Sequence, residues 1–268
     1  MDVAAAWSWE VRGAVGFWRV APLEAVGCAA RFSARLGGVS AGPYASLNLG
    51  GAVGDETVAV AENRARFAHA AGLPPASWAS ARQVHGAAVA RVEAPGAYGT
   101  ADALISAVPG VCLTIAVADC CAVYLVDPVR RAVGLCHAGW RGTAADAAGA
   151  TVAALAAAYG TLPADLLAAI SPSVGPCCYE VDAPVIAAVR SGAPWPDEVL
   201  ARDPARPGHA RLNLWRANAL RLRDAGVRAE AVSVAAICTA CRSDVLFSHR
   251  RDRGRTGRMV AALALAAG

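Results

Sequence analysis

Short apolar runs alternating with polar positions dominate the 268-residue chain, and they predict strands more often than helices. Val11 to Val20 reads as a strand with a polar edge, and Val26 to Ser33 as another. Ser77 to His85 gives a short strand ending in a histidine beside Gly86, followed by a strand from Ala87 to Glu93. Ala101–Ile105 and Val111–Val117 read as buried strands, the second apolar on both faces. Ala122–Val126 and Ala132–Cys136 flank Asp127-Pro-Val-Arg130, where aspartate at the first position and proline at the second favour a turn. A hairpin centred between Pro128 and Val129 sets Cys120 opposite His137 on one face, with Cβ atoms about 5 Å apart. Cys136 then points away from that face, because strand neighbours alternate.

The helical pattern is sparser. Asp55 is placed to cap a helix that runs to about Ala71 and stops at Gly72-Leu-Pro-Pro75. Thr143-Ala-Ala-Asp146 matches a capping box opening the alanine-rich run to Tyr159, which puts a helix N-terminus beside the Cys120/His137 pair. Further helices are expected from about Asp182 to Arg190 and from Leu212 to Asp224. Residues 191–210, with four prolines, read as an irregular surface segment. Ala231–Ile237 reads as a core strand, and Met259–Leu265 as a strand or a short helix. Strands are interspersed with helices, and hairpins outnumber βαβ crossovers. That pattern fits an α+β sandwich of mixed sheets better than a doubly wound parallel sheet.

Composition narrows the class. No linker, repeat or low-complexity tract divides the chain, so residues 1–268 are expected to form one domain. The hydrophobic fraction is 56%, but much of it is alanine, and no uncharged run reaches the length of a membrane span. The first ten residues lack a basic segment and carry Asp2 and Glu10, which argues against an export signal and for a cytoplasmic location. All 25 basic residues are arginine. Their one dense cluster, Arg250 to Arg258, contains Gly and Asp but no aromatic residue, so it suits a loop around a small anion better than a nucleic-acid surface.

Nine cysteines without an export signal read as thiols or ligands rather than disulfides. Cys238-Thr-Ala-Cys241 has the spacing of half a zinc site or of a redox pair, yet no second half-site is evident. The adjacent Cys177 and Cys178 match one poorly, so both pairs are read as structural. His85, next to a glycine at a strand end, is the best third partner for Cys120 and His137. The glycine-rich loop Arg35 to Gly50 lets backbone approach a ligand closely, or is a plain surface connection.

With these residues in view the chain resembles the YfiH family, also called the polyphenol oxidase or laccase-domain family. The resemblance rests on Arg35-Leu-Gly-Gly-Val-Ser40 with Ser46-Leu-Asn-Leu-Gly50, on Gln83-Val-His-Gly86, and on Ala118-Asp-Cys120. It extends to His137-Ala-Gly-Trp-Arg-Gly142, Gly175-Pro-Cys-Cys-Tyr-Glu-Val181, Phe247-Ser-His-Arg-Arg-Asp252 and Gly257-Arg258. It implies a four-layer α/β/β/α sandwich and metal ligands at His85, Cys120 and His137. It also implies a purine nucleoside phosphorylase acting on adenosine, inosine or guanosine with phosphate, methylthioadenosine being a further candidate, together with adenosine deaminase activity. The chain departs from the family pattern at Arg82, at Cys121-Ala122 and at His249, none of which removes a ligand.

Two imidazoles and one thiolate suit Zn²⁺ with its fourth position open, the arrangement of a catalytic site. Phosphate calls for arginine forks, and Arg35, Arg141, Arg250 and Arg251 are the candidates. Asn48 and Gln83 are available for ribose or base contacts, and Asp119 either orients a ligand histidine or makes a hydrogen bond at the hairpin end. The competing readings are a cysteine hydrolase or deamidase with Cys120 as nucleophile and His137 as base, and a copper-dependent phenol oxidase. The second lacks the many histidines that a multicopper site needs. A binding protein with a structural zinc would need a fourth protein ligand, for which no candidate stands out.

Overall fold

The computed structural model describes residues 6–203 and 206–266. The chain opens with the hairpin β1 (Trp7–Arg12) and β2 (Val15–Val20), where the pattern predicted one strand over 11–20. Gly13, at φ 60°, makes the left-handed turn that divides it. There follow α1 (Ala21–Glu24), β3 (Cys28–Ser33), α2 (Thr57–Ala71), β4 (Trp78–Arg82), β5 (Val89–Arg91), β6 (Gly96–Thr100), β7 (Ala103–Ser106), β8 (Cys112–Val117), β9 (Cys121–Asp127) and β10 (Ala132–Ala138). The second half holds α3 (Trp140–Ala144), α4 (Ala147–Tyr159), β11 (Leu167–Ile170), β12 (Glu180–Val181), α5 (Ala183–Gly192), α6 (Pro196–Val199), β13 (Leu200–Arg202), β14 (Ala210–Leu212), α7 (Leu214–Asp224), β15 (Val232–Val234) and β16 (Met259–Leu265).

The strands form a seven-stranded sheet in the order β1-β2-β3-β16-β8-β4-β6, a six-stranded sheet β15-β11-β9-β10-β7-β5 and a small sheet β12-β14-β13. Both large sheets are mixed: β4 runs parallel to β6 and β8, β5 to β7, and β11 to β15, while the other pairs are antiparallel. The two-residue period of each strand sorts its side chains between layers. Leu113, Ile115, Tyr124, Val126, Val133, Leu135, Ala261 and Leu263 share the core between the two large sheets. The opposite face of the six-stranded sheet, with Val123, Leu125 and Cys136, packs on Leu155 of α4, Val189 of α5 and Leu220 of α7. The opposite face of the seven-stranded sheet, with Phe17, Val260 and Ala262, packs on Phe67 and Ala70 of α2. The result is the expected α/β/β/α stack. β16 lies between β3 and β8 with both faces covered, which is why its sequence shows no alternation.

Four local expectations are corrected. The β9–β10 hairpin is centred between Val129 and Arg130: Ala122 pairs with His137 and Cys121 with Ala138, so Cys120 lies two positions from the predicted register. Arg131, at φ 50°, lengthens the turn. A two-residue shift preserves the face, so Cys120 and His137 still point the same way. Thr143 does not cap α4; it lies buried inside α3, and Asp146 caps α4 by accepting the Gly149 N–H at 3.1 Å. Asp55 turns its carboxylate mainly on Ser40 and Asn48, and α2 starts after Glu56 without a side-chain cap. The proline-rich segment 191–210 is less irregular than expected, since it contains α6 and β13 and leads into β14, the centre of the small sheet.

Candidate metal centre

The two large sheets exchange the chain three times at one end of the sandwich. Residues 83–88 lead from β4 to β5, Ala101-Asp102 leads from β6 to β7, and Ala118-Asp-Cys120 leads from β8 to β9. β10 ends at the same place, so His85, Cys120 and His137 meet there, and their ligand atoms all lie within 4.8 Å of one another. The two imidazoles stand edge to face with centroids 4.8 Å apart. His137 is buried at 3% exposure, Cys120 is half-buried and His85 is exposed, so the trio opens to solvent on one side. Among the described residues no fourth histidine, cysteine or carboxylate joins the group. Two borderline imidazoles and a soft thiolate at this separation fit one divalent ion of the zinc type.

Asp102 holds the trio in shape. Its carboxylate accepts the backbone N–H groups of His85 at 2.8 Å and Gly86 at 2.7 Å, takes Val84 at 3.2 Å, and faces Nδ1 of His137 at 2.9 Å. One buried side chain therefore fixes the loop that carries one histidine and the ring orientation of the other, leaving Nε2 of His137 for a metal. The loop needs that support because His85 sits at φ 63°, a left-handed conformation that a side chain disfavours. Of the two roles expected for Asp119, the structure shows the hydrogen bond at the hairpin end and not the histidine's acceptor. Asp119 too is left-handed, at φ 85°, and its carboxylate accepts the Thr239 hydroxyl at 2.5 Å and the Arg250 N–H at 2.5 Å, which pins the turn before Cys120.

The electrostatics agree with a ligand set. Burial opposes ionisation of Cys120, but the charge of His137 and hydrogen bonds from both histidines outweigh it and bring the thiol down to about 6. Burial also disfavours a charged His137, yet the Cys120 thiolate and Asp102 raise it to about 9. The other two thiols of this hairpin differ: burial drives Cys121 and Cys136 up to about 12, and Cys121 contacts Ser173 at 3.2 Å on the outer face. Gly139 completes the close packing, since a Cβ there would lie 2.6 Å from the Cys120 sulfur and 3.4 Å from the His85 ring.

The candidate substrate residues fall into two groups. Several are already engaged: the Gln83 amide is bonded on both sides to the Ala116 backbone, and Asn48 is fully buried against Gly50, Asp55 and the Arg258 N–H. Arg35 donates to the Ala45 and Ser243 carbonyls, and Arg251 to Asp252, Thr239 and Leu246. Arg141 instead lies exposed over the Trp140 ring at 4.2 Å, and Arg250 over the Tyr179 ring at 5.1 Å with one bond to the Glu180 carbonyl. Arg258 was not singled out as a phosphate ligand, yet its charge acts on both Cys120 and Asp119. Asp102 was also missed. The signal was present, because an aspartate inside the apolar run Ala101–Ile105 must find a partner if that strand is buried.

An α/β/β/α sandwich with a two-histidine, one-cysteine centre at its sheet crossovers defines the class, and the chain belongs to the laccase-like YfiH family. The family described as multi-copper polyphenol oxidoreductase laccase matches residues 29–266. The chain is 40% identical over 256 residues to the purine nucleoside phosphorylase YlmD of Geobacillus stearothermophilus, covering 92% of this chain and 93% of that one. A Deinococcus radiodurans protein named purine nucleoside phosphorylase is 41% identical over 235 residues, 87% of this chain and 88% of its own. The crystal structure of the Geobacillus YlmD superposes with a TM-score of 0.91 at 38% identity, over 98% of this chain and 99% of that one. YfiH of Bacillus licheniformis does so at 0.89 and 33%, over 96% and 98%.

Proposed function

We propose that the protein is a zinc-dependent purine nucleoside phosphorylase with adenosine deaminase activity, its centre being His85, Cys120 and His137. The observation that carries this reading is the convergence of those three donors, open on one side, in a chain whose relatives bear the name purine nucleoside phosphorylase. A divalent ion held by His85, Cys120 and His137 would supply the Lewis acidity that hydrolytic deamination of a purine requires. The chain's own residues supply the rest. Asp102 keeps His137 in the tautomer that presents Nε2. We assign phosphate, and the offset of charge that builds on a departing base, to Arg141 and Arg250, the least engaged of the candidate guanidinium groups, and to Arg258, which also donates to the Thr256 and Gly257 carbonyls. Tyr179 offers an aromatic ring beneath Arg250. Phosphorolysis then joins phosphate oxygen to the anomeric carbon as the bond to the base nitrogen breaks, giving free base and ribose 1-phosphate. No helix of the described residues is long and apolar enough to cross a membrane, and a cytoplasmic location accords with the substrates proposed.

The test is turnover of inosine and adenosine with and without phosphate, with metal content measured on the same samples. Phosphate-dependent release of base, ammonia from adenosine, and loss of both on chelation are expected. Full activity in Cys120→Ala or His137→Ala would overturn the assignment. One observation favours a second reading: a Cys120 thiol near 6 beside an imidazolium is also the state of a cysteine hydrolase. Alkylation separates the two, because a ligand thiolate in metal-replete protein is shielded and a nucleophile is not. Copper oxidation of phenols is less well served, since of the chain's five histidines only two join the centre.

A further inference from the structure

Away from the centre just described, the fold gathers a second set of donors. Cys177 and Cys178 lie in the turn before β12, Cys238 and Cys241 in the segment after β15, and their sulfurs all lie within 4.8 Å of one another. The pairing corrects the sequence reading, which found no second half for Cys238-Thr-Ala-Cys241. We propose that these four cysteines hold a structural Zn²⁺ that clamps the two segments together.

The geometry suits one ion. Bonds of about 2.3 Å in a tetrahedron separate sulfurs by about 3.8 Å, and Cys241 lies 3.7 Å from Cys177 and 3.4 Å from Cys178. All four are free thiols and none is replaced by a carboxylate or imidazole, a soft donor set selective for zinc over hard cations. The backbone already addresses the first sulfur of the Cys-x-x-Cys turn: the Gly175 N–H reaches Cys238 at 3.2 Å, and the Cys241 N–H bonds to it as well. N–H groups aimed at sulfur are what a charged, metal-bound thiolate needs. Cys177 and Cys241 are exposed, so an ion can enter from solvent with release of the thiol protons.

The clamp would act on the neighbouring centre through position rather than chemistry. Thr239, inside the Cys-x-x-Cys turn, gives its hydroxyl to Asp119 and takes Arg251 on its carbonyl at 3.0 Å. Tyr179, directly after Cys178, carries Arg250 over its ring. Arg211 of β14 donates to the Cys177 carbonyl at 2.8 Å. A metal tying Cys178 to Cys241 therefore joins the segments that hold Tyr179, Arg250 and the turn before Cys120.

Metal analysis of the full chain, purified under reducing conditions, tests this without reference to activity. Two zinc ions per chain are expected in the native protein and one in His85→Ala/His137→Ala. In that double variant Co²⁺ should give the intense visible bands and near-ultraviolet sulfur-to-metal absorption of a tetrathiolate site. Cys238→Ser/Cys241→Ser should retain the other ion, and if it fails to fold the histidine variant still carries the test. A histidine variant free of metal, iron in place of zinc, or a disulfide among the four cysteines in non-reducing peptide maps would overturn the proposal. A native protein that keeps an ion only in the Cys-x-x-Cys site would instead count against the histidine–cysteine centre, so the two readings fail separately.

Discussion

Replacing Asp102 by asparagine keeps the side chain's shape and removes its charge, which makes it the sharpest probe of how the centre is held. Asp102 is 1% exposed, and every contact of its carboxylate is with a donor. An asparagine must turn its NH₂ toward either Gly86 or the His85/His137 side, so at least one donor loses its acceptor. Burial favours the neutral acid, but the His137 bond and the N–H groups of Gly86 and Val84 prevail and hold the carboxyl at about 2, against an ordinary 3.8. The folded value is the lower one, so the ionised carboxylate stabilises the fold above about pH 4, and that stability is lost as pH falls toward 2. The difference corresponds to about 2 kcal/mol. Urea unfolding of metal-free wild type and Asp102→Asn should therefore show the variant less stable by about 2 kcal/mol at pH 7, with the gap narrowing by pH 3. Zinc affinity, by competition with a chelator, should fall about 10- to 100-fold. Equal midpoints at pH 7, or wild-type zinc affinity in the variant, would refute the role assigned to this carboxylate.

Other expectations follow from single contacts. Gly139→Ala puts a methyl group 2.6 Å from the Cys120 sulfur, so zinc content should drop while the far-ultraviolet circular dichroism of the fold stays unchanged. Arg258→Met should raise the KM for phosphate about tenfold or more in initial-rate assays, with zinc content preserved, as expected for loss of a charge-assisted hydrogen bond. Tyr124→Phe removes a hydroxyl that donates to the Arg31 carbonyl at 2.7 Å between the sheets, and should cost about 1 to 3 kcal/mol in urea unfolding without altering turnover.

The mixed-sheet sandwich and the three donors were legible because each leaves a local trace, whereas the four-layer stacking came from the family resemblance. Strand periodicity assigned Cys120 and His137 to one face, and parity survived a two-residue error in register. What sequence could not give was the loop geometry. Nothing in Gln83-Val-His-Gly86 announces that His85 is left-handed, since its support comes from Asp102 in the connection between β6 and β7. The availability of polar side chains was equally hidden: Asn48 and Gln83 look free in the sequence, and tertiary contacts had already taken them. The four-cysteine cluster escaped because its halves come from distant segments and one half is an adjacent pair, a spacing that no zinc-finger pattern contains.

These failures share a cause that bears on how the centre works. A sandwich edge offers strand ends, and strand ends alone present side chains on alternating faces rather than converging on a point. Convergence at this edge is obtained by two non-glycine residues held left-handed, His85 and Asp119, on two separate crossovers between the sheets. Each conformation costs on the order of 1–3 kcal/mol and persists only where the surroundings over-determine it. The surroundings do so by the same device in both places. A buried carboxylate accepts N–H groups from the His85 loop in one case, and a hydroxyl plus the Arg250 N–H in the other. Asp102 grips the loop of another residue, whereas Asp119 is itself the bent residue and reaches outward to Thr239 and Arg250. Loss of Asp102 should therefore disturb the two histidines together, and loss of Asp119 should free Cys120 together with the arginine-bearing loop. The thiolate's position and the arginines proposed to bind phosphate would thus respond to one substitution, a coupling that metal content and the KM for phosphate, measured on Asp119→Asn, would register at once.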